Sequence, residues 1–136
     1  MQTLTYRPVY PSNTSDFKDR GIIYCITNTM NNMNYIGQTR CFKKRGNKYV
    51  WSAHHDRLQK HLYNASVGSQ DCFRLYNAMR SYPKSSFMVY ILEVCEVKDI
   101  NKRERYWIKR LRTRWKNRGY NIARGGQRHR RKRKRR

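Results

Sequence analysis

Gly21-Ile22-Ile23-Tyr24 and Tyr35-Ile36-Gly37 decide the fold, because together they read as the two arms of one β-hairpin. In the first arm Ile22, Tyr24 and Ile26 alternate with Ile23, Cys25 and Thr27, the period-2 pattern of a strand. Between the arms, Thr29-Met30-Asn31-Asn32-Met33-Asn34 supplies a turn, since Asn tolerates positive φ and hydrogen-bonds its own backbone. The hairpin carries two phenols, Tyr24 and Tyr35, eleven positions apart. Alternation alone leaves open whether they face the same way.

Upstream of the hairpin, residues 1–20 carry Pro8, Pro11, Ser12, Asn13 and Ser15 and read as an extended arm. Downstream, Phe42-Lys43-Lys44-Arg45-Gly46-Asn47-Lys48 reads as a cationic loop. A helix is expected from about Ser52 to Ala65, with Leu58, Leu62 and Ala65 forming a narrow core stripe. A second is expected over about 70–82, started by Ser69 or Gln70-Asp71 and stopped by Pro83. Phe87–Cys95 is nearly continuously apolar, the pattern of a central strand covered on both faces. Asp99 is then placed to cap a third helix running to about Arg114. The order ββααβα points to an α/β or α+β domain, a small antiparallel sheet with helices packed around it.

At 136 residues the chain has room for one core. It holds 32 Lys and Arg against 8 Asp and Glu, a net charge of +24. Eight of those cations sit in Arg128–Arg136, so the rest of the chain is strongly basic in its own right. A polyanion is the natural partner, and nucleic acid is the expected one. No apolar run approaches the roughly 20 residues of a membrane span, and the first residues lack the apolar core of a secretory signal. Cys25, Cys41, Cys72 and Cys95 include no Cys-x-x-Cys pair, which argues against a zinc knuckle or a disulfide framework. The expectation is an intracellular protein.

Glu104 breaks the pattern of its helix. It shares a face with Ile100, Trp107 and Ile108, where a bare carboxylate would cost several kcal/mol to bury. An ion pair with Arg103 would satisfy it; so would a hard cation such as Mg²⁺, which suits one carboxylate plus phosphate oxygens. Arg57 and His61 form a second constellation, at i and i+4 on the first helix beside the Leu58/Leu62 stripe. Arg offers a fixed fork to a phosphate and His moves a proton near neutral pH, while a solvated basic face would need neither. His54 and His55 read as surface residues. For the tyrosines, a field of Arg and Lys favours the phenolate, a base toward water; packing in the core is the plainer use.

These pieces in this order resemble the GIY-YIG nuclease family over about residues 21–126. The matching residues are Gly21-x-Ile23-Tyr24, Tyr35-Ile36-Gly37-Gln38-Thr39, Arg57-x-x-x-His61-Leu62, Glu104-x-x-Trp107-Ile108, Gly119-Tyr120-Asn121 and Gly125-Gly126. The resemblance implies a three-stranded antiparallel sheet flanked by helices, and hydrolysis of phosphodiesters with a divalent metal, Mg²⁺ or Mn²⁺. It implies Tyr24 as general base or its activating partner, and Tyr35 as a neighbour that orients phosphate or water. Arg57 would stabilise the phosphorane, His61 would accept or relay a proton, Glu104 would hold the metal, and Asn121 would tie the closing loop to the site. The first signature carries Ile22-Ile23 where the family motif has one residue, and the stretch from Gly37 to Arg57 is longer than usual for the family. Arg45 is therefore a rival for the catalytic arginine; Arg57 is preferred because His61 lies one helical turn beyond it, whereas Tyr49 follows Arg45 at that spacing.

The terminal run cannot build a core, so residues 127–136 are expected to be disordered, with Arg128, Arg130, Arg131, Lys132 and Arg133 binding phosphates and nuclear import as a second use. The leading expectation is a metal-dependent DNA endonuclease that cuts loosely or by substrate structure, since no zinc finger or helix-turn-helix is visible. RNA is the alternative polyanion, and a monomer, or a transient dimer on DNA, is the expected working state. A catalytically inactive nucleic-acid-binding module of the same fold is the competing reading.

Overall fold

A computed structural model describes residues 20–40, 43–45, 48–50 and 53–126. The expected arm through residue 19 and the tail from residue 127 lie outside the described residues. Strand β1 (Arg20–Asn28) pairs antiparallel with β2 (Met33–Arg40), and the joining turn uses Asn32 at φ 60°, as its composition predicts. Two short strands, β3 (Lys43–Arg45) and β4 (Lys48–Val50), form a second antiparallel ladder where a cationic loop was expected. Helices α1 (Ala53–Ser66) and α2 (Phe73–Ser81) follow, then strand β5 (Phe87–Glu96) and helix α3 (Ile100–Leu111). Among the described residues no helix is long and apolar enough to cross a membrane.

The main sheet has the order β2-β1-β5. The apolar run of β5 therefore does not mark the central strand, as expected from its composition; β1 is central and β5 is an edge. The reason is visible in the side chains: six successive residues of β1, Gly21 to Ile26, are buried, whereas Met88 and Tyr90 of β5 are exposed. Alternation along β1 serves two cores, one on each face. Ile22, Tyr24 and Ile26 pack with Leu58 and Leu62 of α1 and Leu75, Tyr76 and Met79 of α2. Ile23 and Cys25 pack on the other face with Ile100, Trp107 and Ile108 of α3. Burying each such Ile or Leu contributes roughly 1.5–3 kcal/mol, so these stripes set the layer order α1/α2, sheet, α3.

The register keeps both faces true despite one irregularity. Ile23 faces Glu93 but Tyr24 faces Ile91, so β5 accommodates an extra residue, Leu92, as a bulge. Leu92 joins the α3 core while Ile91 joins the α1/α2 core. The outer edge of β2 is covered as well. A parallel bridge links Asn34 to Gly119, with the Tyr120 N–H donating to the Asn34 carbonyl at 2.9 Å. Only glycine fits at 119, because a Cβ there would overlap the Thr113 backbone. The Arg74 guanidinium holds this returning segment, donating to the carbonyls of Arg114, Gly119 and Asn121.

Helix ends depart from the sequence expectation in three places. Helix α2 begins at Phe73 rather than near residue 70, since the Ser69 hydroxyl accepts the Asp71 N–H in a local turn and Cys72 enters at φ 43°. Asp99 stands at the start of α3 without a side-chain capping bond, because a 3-10 turn (Val97–Asp99) already leads into the helix. Helix α3 closes at Leu111, earlier than Arg114: Arg112 turns left-handed at φ 54°, and the Thr113 N–H reaches the Ile108 carbonyl. By contrast, α2 stops where Pro83 predicts, with Tyr82 already extended.

Candidate active site

Directly paired residues of an antiparallel sheet point to one face, and this settles the orientation of the two tyrosines. Tyr24 faces Gly37 and Tyr35 faces Ile26, so Tyr24 and Tyr35 are diagonal neighbours on the α1/α2 side. Gly37 is the complement of Tyr24: a Cβ on residue 37 would overlap the ring carbon and hydroxyl of that tyrosine. The glycine thus clears the bed in which the phenol lies. A cleft of about 350 Å³ opens there, and Tyr24, Tyr35, Arg57, Glu104 and Asn121 all line it.

His61 stands behind the cleft wall rather than on it. Its Nε2 lies 3.1 Å from the Tyr24 hydroxyl and its Nδ1 lies 2.8 Å from the Tyr76 hydroxyl, all three groups being buried. The Tyr35 ring meets the imidazole edge-on at 5.4 Å between centroids. Burial, then the cations Arg57 and Lys60, push His61 down from 6.5 to about 4, so it is neutral at physiological pH. His54, expected on the surface, is buried too and falls from 6.5 to about 4, because it continues the Leu58/Leu62 stripe one turn toward the helix start.

The electrostatics correct one expectation. The Arg57 guanidinium addresses the Tyr24 hydroxyl and favours its phenolate, but burial outweighs it and pushes Tyr24 up from 10.0 to about 12. Burial, with Tyr24 next in weight, also holds Tyr35 well above the ordinary tyrosine value. Both side chains are neutral phenols in the resting cleft. The Tyr35 hydroxyl lies 3.7 Å from the Cys72 thiol. Arg57 keeps its charge, and its buried Nε has no hydrogen-bond partner among the described residues. Arg45 belongs to β3, whose side chains lie outside the described residues.

Glu104 is buried on α3, but Arg103 is not its partner. The Arg103 fork instead takes Glu93, donating at 2.9 and 2.6 Å from Nε and at 2.6 Å from a terminal nitrogen. The Glu104 Oε1 accepts the Gly126 N–H at 2.8 Å, and the nearby Gln38 side chain, whose amide donates to Asn101 Oδ1 at 2.8 Å, also favours the carboxylate. Gly125 and Gly126 take φ 94° and 78°, backbone that side chains rarely adopt, to bring that N–H over the acid. Burial still raises the Glu104 carboxyl, against the pull of Gly126, Gln38 and Arg105. Asn121 clamps β2 beside Tyr35: its Oδ1 accepts the Ile36 N–H at 2.7 Å and its Nδ2 donates to the Ile36 carbonyl at 2.9 Å. With both amide groups engaged, it positions the wall rather than reaching into the cleft.

Cys72 and Tyr76 complete the site and escaped the sequence reading, while Gln38 stood in the second motif without an assigned role. Tyr76 and Cys72 look like ordinary core positions at helical spacing; the available signal was a phenol on a buried helix face, which needs a polar partner.

Known proteins share this sequence pattern and fold. The family model described as the GIY-YIG catalytic domain matches residues 20–121. An uncharacterized protein of Acanthamoeba polyphaga mimivirus is 32% identical over 102 residues, 74% of this chain and 40% of that protein. Intron-associated endonuclease 1 of Enterobacteria phage T4 is 33% identical over 102 residues, 74% of this chain and 36% of that protein. The chain thus spans well under half the length of these relatives. Among solved structures, a mutant of the catalytic domain of intron endonuclease I-TevI superposes with a TM-score of 0.61 at 27% identity, covering 79% of this chain and 97% of that one. A second structure, of the catalytic domain of homing endonuclease I-TevI, gives 0.58 at 28% identity, covering 76% and 98%. The sheet and helices and these likenesses agree, and the chain belongs to the GIY-YIG catalytic domain family.

Proposed function

We propose that this domain is an endonuclease that hydrolyses DNA phosphodiester bonds with one divalent cation, Mg²⁺ or Mn²⁺. The observation that carries the reading is the convergence of Tyr24, Tyr35, Arg57 and Glu104 on one cleft, with His61 hydrogen-bonded directly behind Tyr24. The donor set fits a hard ion. Among the described residues no three His, Cys, Asp or Glu side chains cluster, which disfavours a closed zinc-type site. Glu104, the one buried carboxylate among the described residues and bonded to no cationic side chain among them, suits a Mg²⁺ that also uses phosphate oxygens and water. When bound, such an ion neutralises charge on the phosphoryl group and on the leaving oxygen.

The chain's own residues divide the remaining work. Arg57, a half-buried cation whose buried Nε has no partner among the described residues, offers donors to the charge that builds up on the phosphorane. Tyr35 orients phosphate or water, and Tyr24 with His61 manages the proton of the attacking water. Asn121 keeps Ile36, and with it Tyr35, in place, while the Gly125-Gly126 turn steers Glu104. Arg128, Arg130, Arg131, Lys132 and Arg133 extend the phosphate footprint beyond the cleft. One site cuts one strand at a time, so a double-strand break takes two nicks or a transient dimer on the DNA.

The test is supercoiled plasmid with Mg²⁺ or Mn²⁺, with and without chelator, beside Glu104→Ala and a single-stranded RNA control. Wild type should relax the plasmid, chelator should stop it, and Glu104→Ala should lower the rate by at least about 10²-fold. Cutting that survives both chelator and substitution would refute the metal mechanism. Tight binding with no cutting of any DNA or RNA would instead identify a nucleic-acid-binding module.

A further inference from the structure

Tyr76 lies outside every motif that marked the site, yet it touches His61 more closely than Tyr24 does, at 2.8 against 3.1 Å. Its hydroxyl is buried, and three groups decide where its proton goes. Asn64, three residues after His61 on α1, turns its amide NH₂ toward the Tyr76 oxygen at 3.4 Å. That amide nitrogen can only donate. The Cys72 sulfur, also within reach, accepts only weakly. The good acceptor left for the Tyr76 proton among its described neighbours is His61 Nδ1. A buried hydroxyl without an acceptor costs about 1–3 kcal/mol, so this bond is strongly favoured.

We propose that Tyr76 is a positioning residue that fixes His61 in the tautomer protonated on Nε2 and thereby turns the Tyr24 hydroxyl proton into the cleft. This rests on the endonuclease reading for its consequence, but not for its geometry. With Nδ1 occupied as an acceptor, the proton of neutral His61 resides on Nε2, which then donates to the Tyr24 oxygen. Arg57, the other group among the described residues that hydrogen-bonds that oxygen, has no acceptor to offer. Tyr24 therefore cannot direct its own proton at either group, and the open direction is the cleft. The result is a one-way chain of donors from Asn64 through Tyr76, His61 and Tyr24 to the substrate. Each bond polarises the next: once a phosphate oxygen of the substrate takes the Tyr24 proton, the phenolate left behind is held by the His61 N–H and the Arg57 guanidinium and can accept the proton of the attacking water. His61 thus acts as a donor to Tyr24 in the resting site, rather than as the acceptor of its proton.

Nitrogen NMR of the full chain at pH 7 decides the tautomer, with His61→Gln assigning the signals among the four histidines. Wild type should show a protonated Nε2 and a bare Nδ1. Tyr76→Phe should populate both tautomers. Asn64→Asp should reverse the order, because a carboxylate at 64 captures the Tyr76 proton and lets Nδ1–H donate to the phenol. In plasmid nicking, Tyr76→Phe should lower kcat about tenfold and leave KM for DNA unchanged. A wild-type His61 protonated on Nδ1, or one tautomer shared by wild type, Tyr76→Phe and Asn64→Asp, would overturn the proposal. So would unchanged kcat in Tyr76→Phe. If wild type cuts nothing, the endonuclease reading fails while the nitrogen spectra still decide the donor chain.

Discussion

At the scale of single residues, the site is governed by what burial does to polar side chains. Gly37 makes room for the Tyr24 ring, so Gly37→Ala should destabilise the fold by about 1–3 kcal/mol, as overpacking does, and should also displace Tyr24. Urea denaturation measures the first effect; nicking activity, falling further than stability accounts for, measures the second. Burial also makes stability depend on pH. His61 and His54 are held near pKa 4 in the fold against 6.5 when unfolded, so below pH 6.5 the unfolded chain takes up protons that the native state refuses. The stabilisation from keeping them neutral is complete above pH 6.5 and drains away as pH falls toward 4. Tm should drop over that window, and His61→Gln should make the drop shallower; an equal slope would show that His61 does not carry it. Neither effect is legible in the sequence, where Gly37 is only a motif letter and His54 looks like a surface residue. Each depends on a neighbour from another element.

At the scale of elements, the decisive joint is between the returning segment 119–121 and the edge of β2. Asn121 satisfies both backbone groups of Ile36, and nothing else in the described residues is bonded to replace it there. Asn121→Ala should therefore cost about 2–4 kcal/mol, since two buried backbone groups lose their partners. Hydrogen exchange at the Ile36 amide should accelerate by more than at the β1 amides, which are paired on both sides; equal acceleration across the sheet would show global rather than local loosening. Most elements were readable from period and spacing: the β1–β2 hairpin, three helices, β5, and the stop before Pro83; the β3–β4 ladder was not, since its run reads as a cationic loop. Their ends were less so. Ser69 and Asp99 have the composition of caps, yet a local turn and a 3-10 lead-in took over those ends. The exposed face of β5 was hidden by an apolar run that reads the same in an edge strand as in a central one.

At the scale of the whole molecule, charge and topology act separately. A net charge of +24 draws any polyanion, but the cleft selects what is done to it. Removing Arg128–Arg136 should weaken DNA binding and flatten its salt dependence by about 0.9 in the log–log slope for each phosphate no longer neutralised, while nicking at saturating DNA persists. An unchanged slope would show that the terminal cations do not touch the backbone of the DNA. The sequence by itself determined the family, the α+β class and most of the cleft, because strand and helix periods and motif spacings are local properties written along one dimension. Tertiary structure alone decided that Tyr24 and Tyr35 share a face, that Arg103 pairs with Glu93 and leaves Glu104 to the cleft, and that Tyr76 stands behind His61. It also decided that Tyr24 rests as a phenol despite its cationic surroundings. Those outcomes turn on which distant side chains meet and how much water they exclude, and desolvation exists only once the layers have closed.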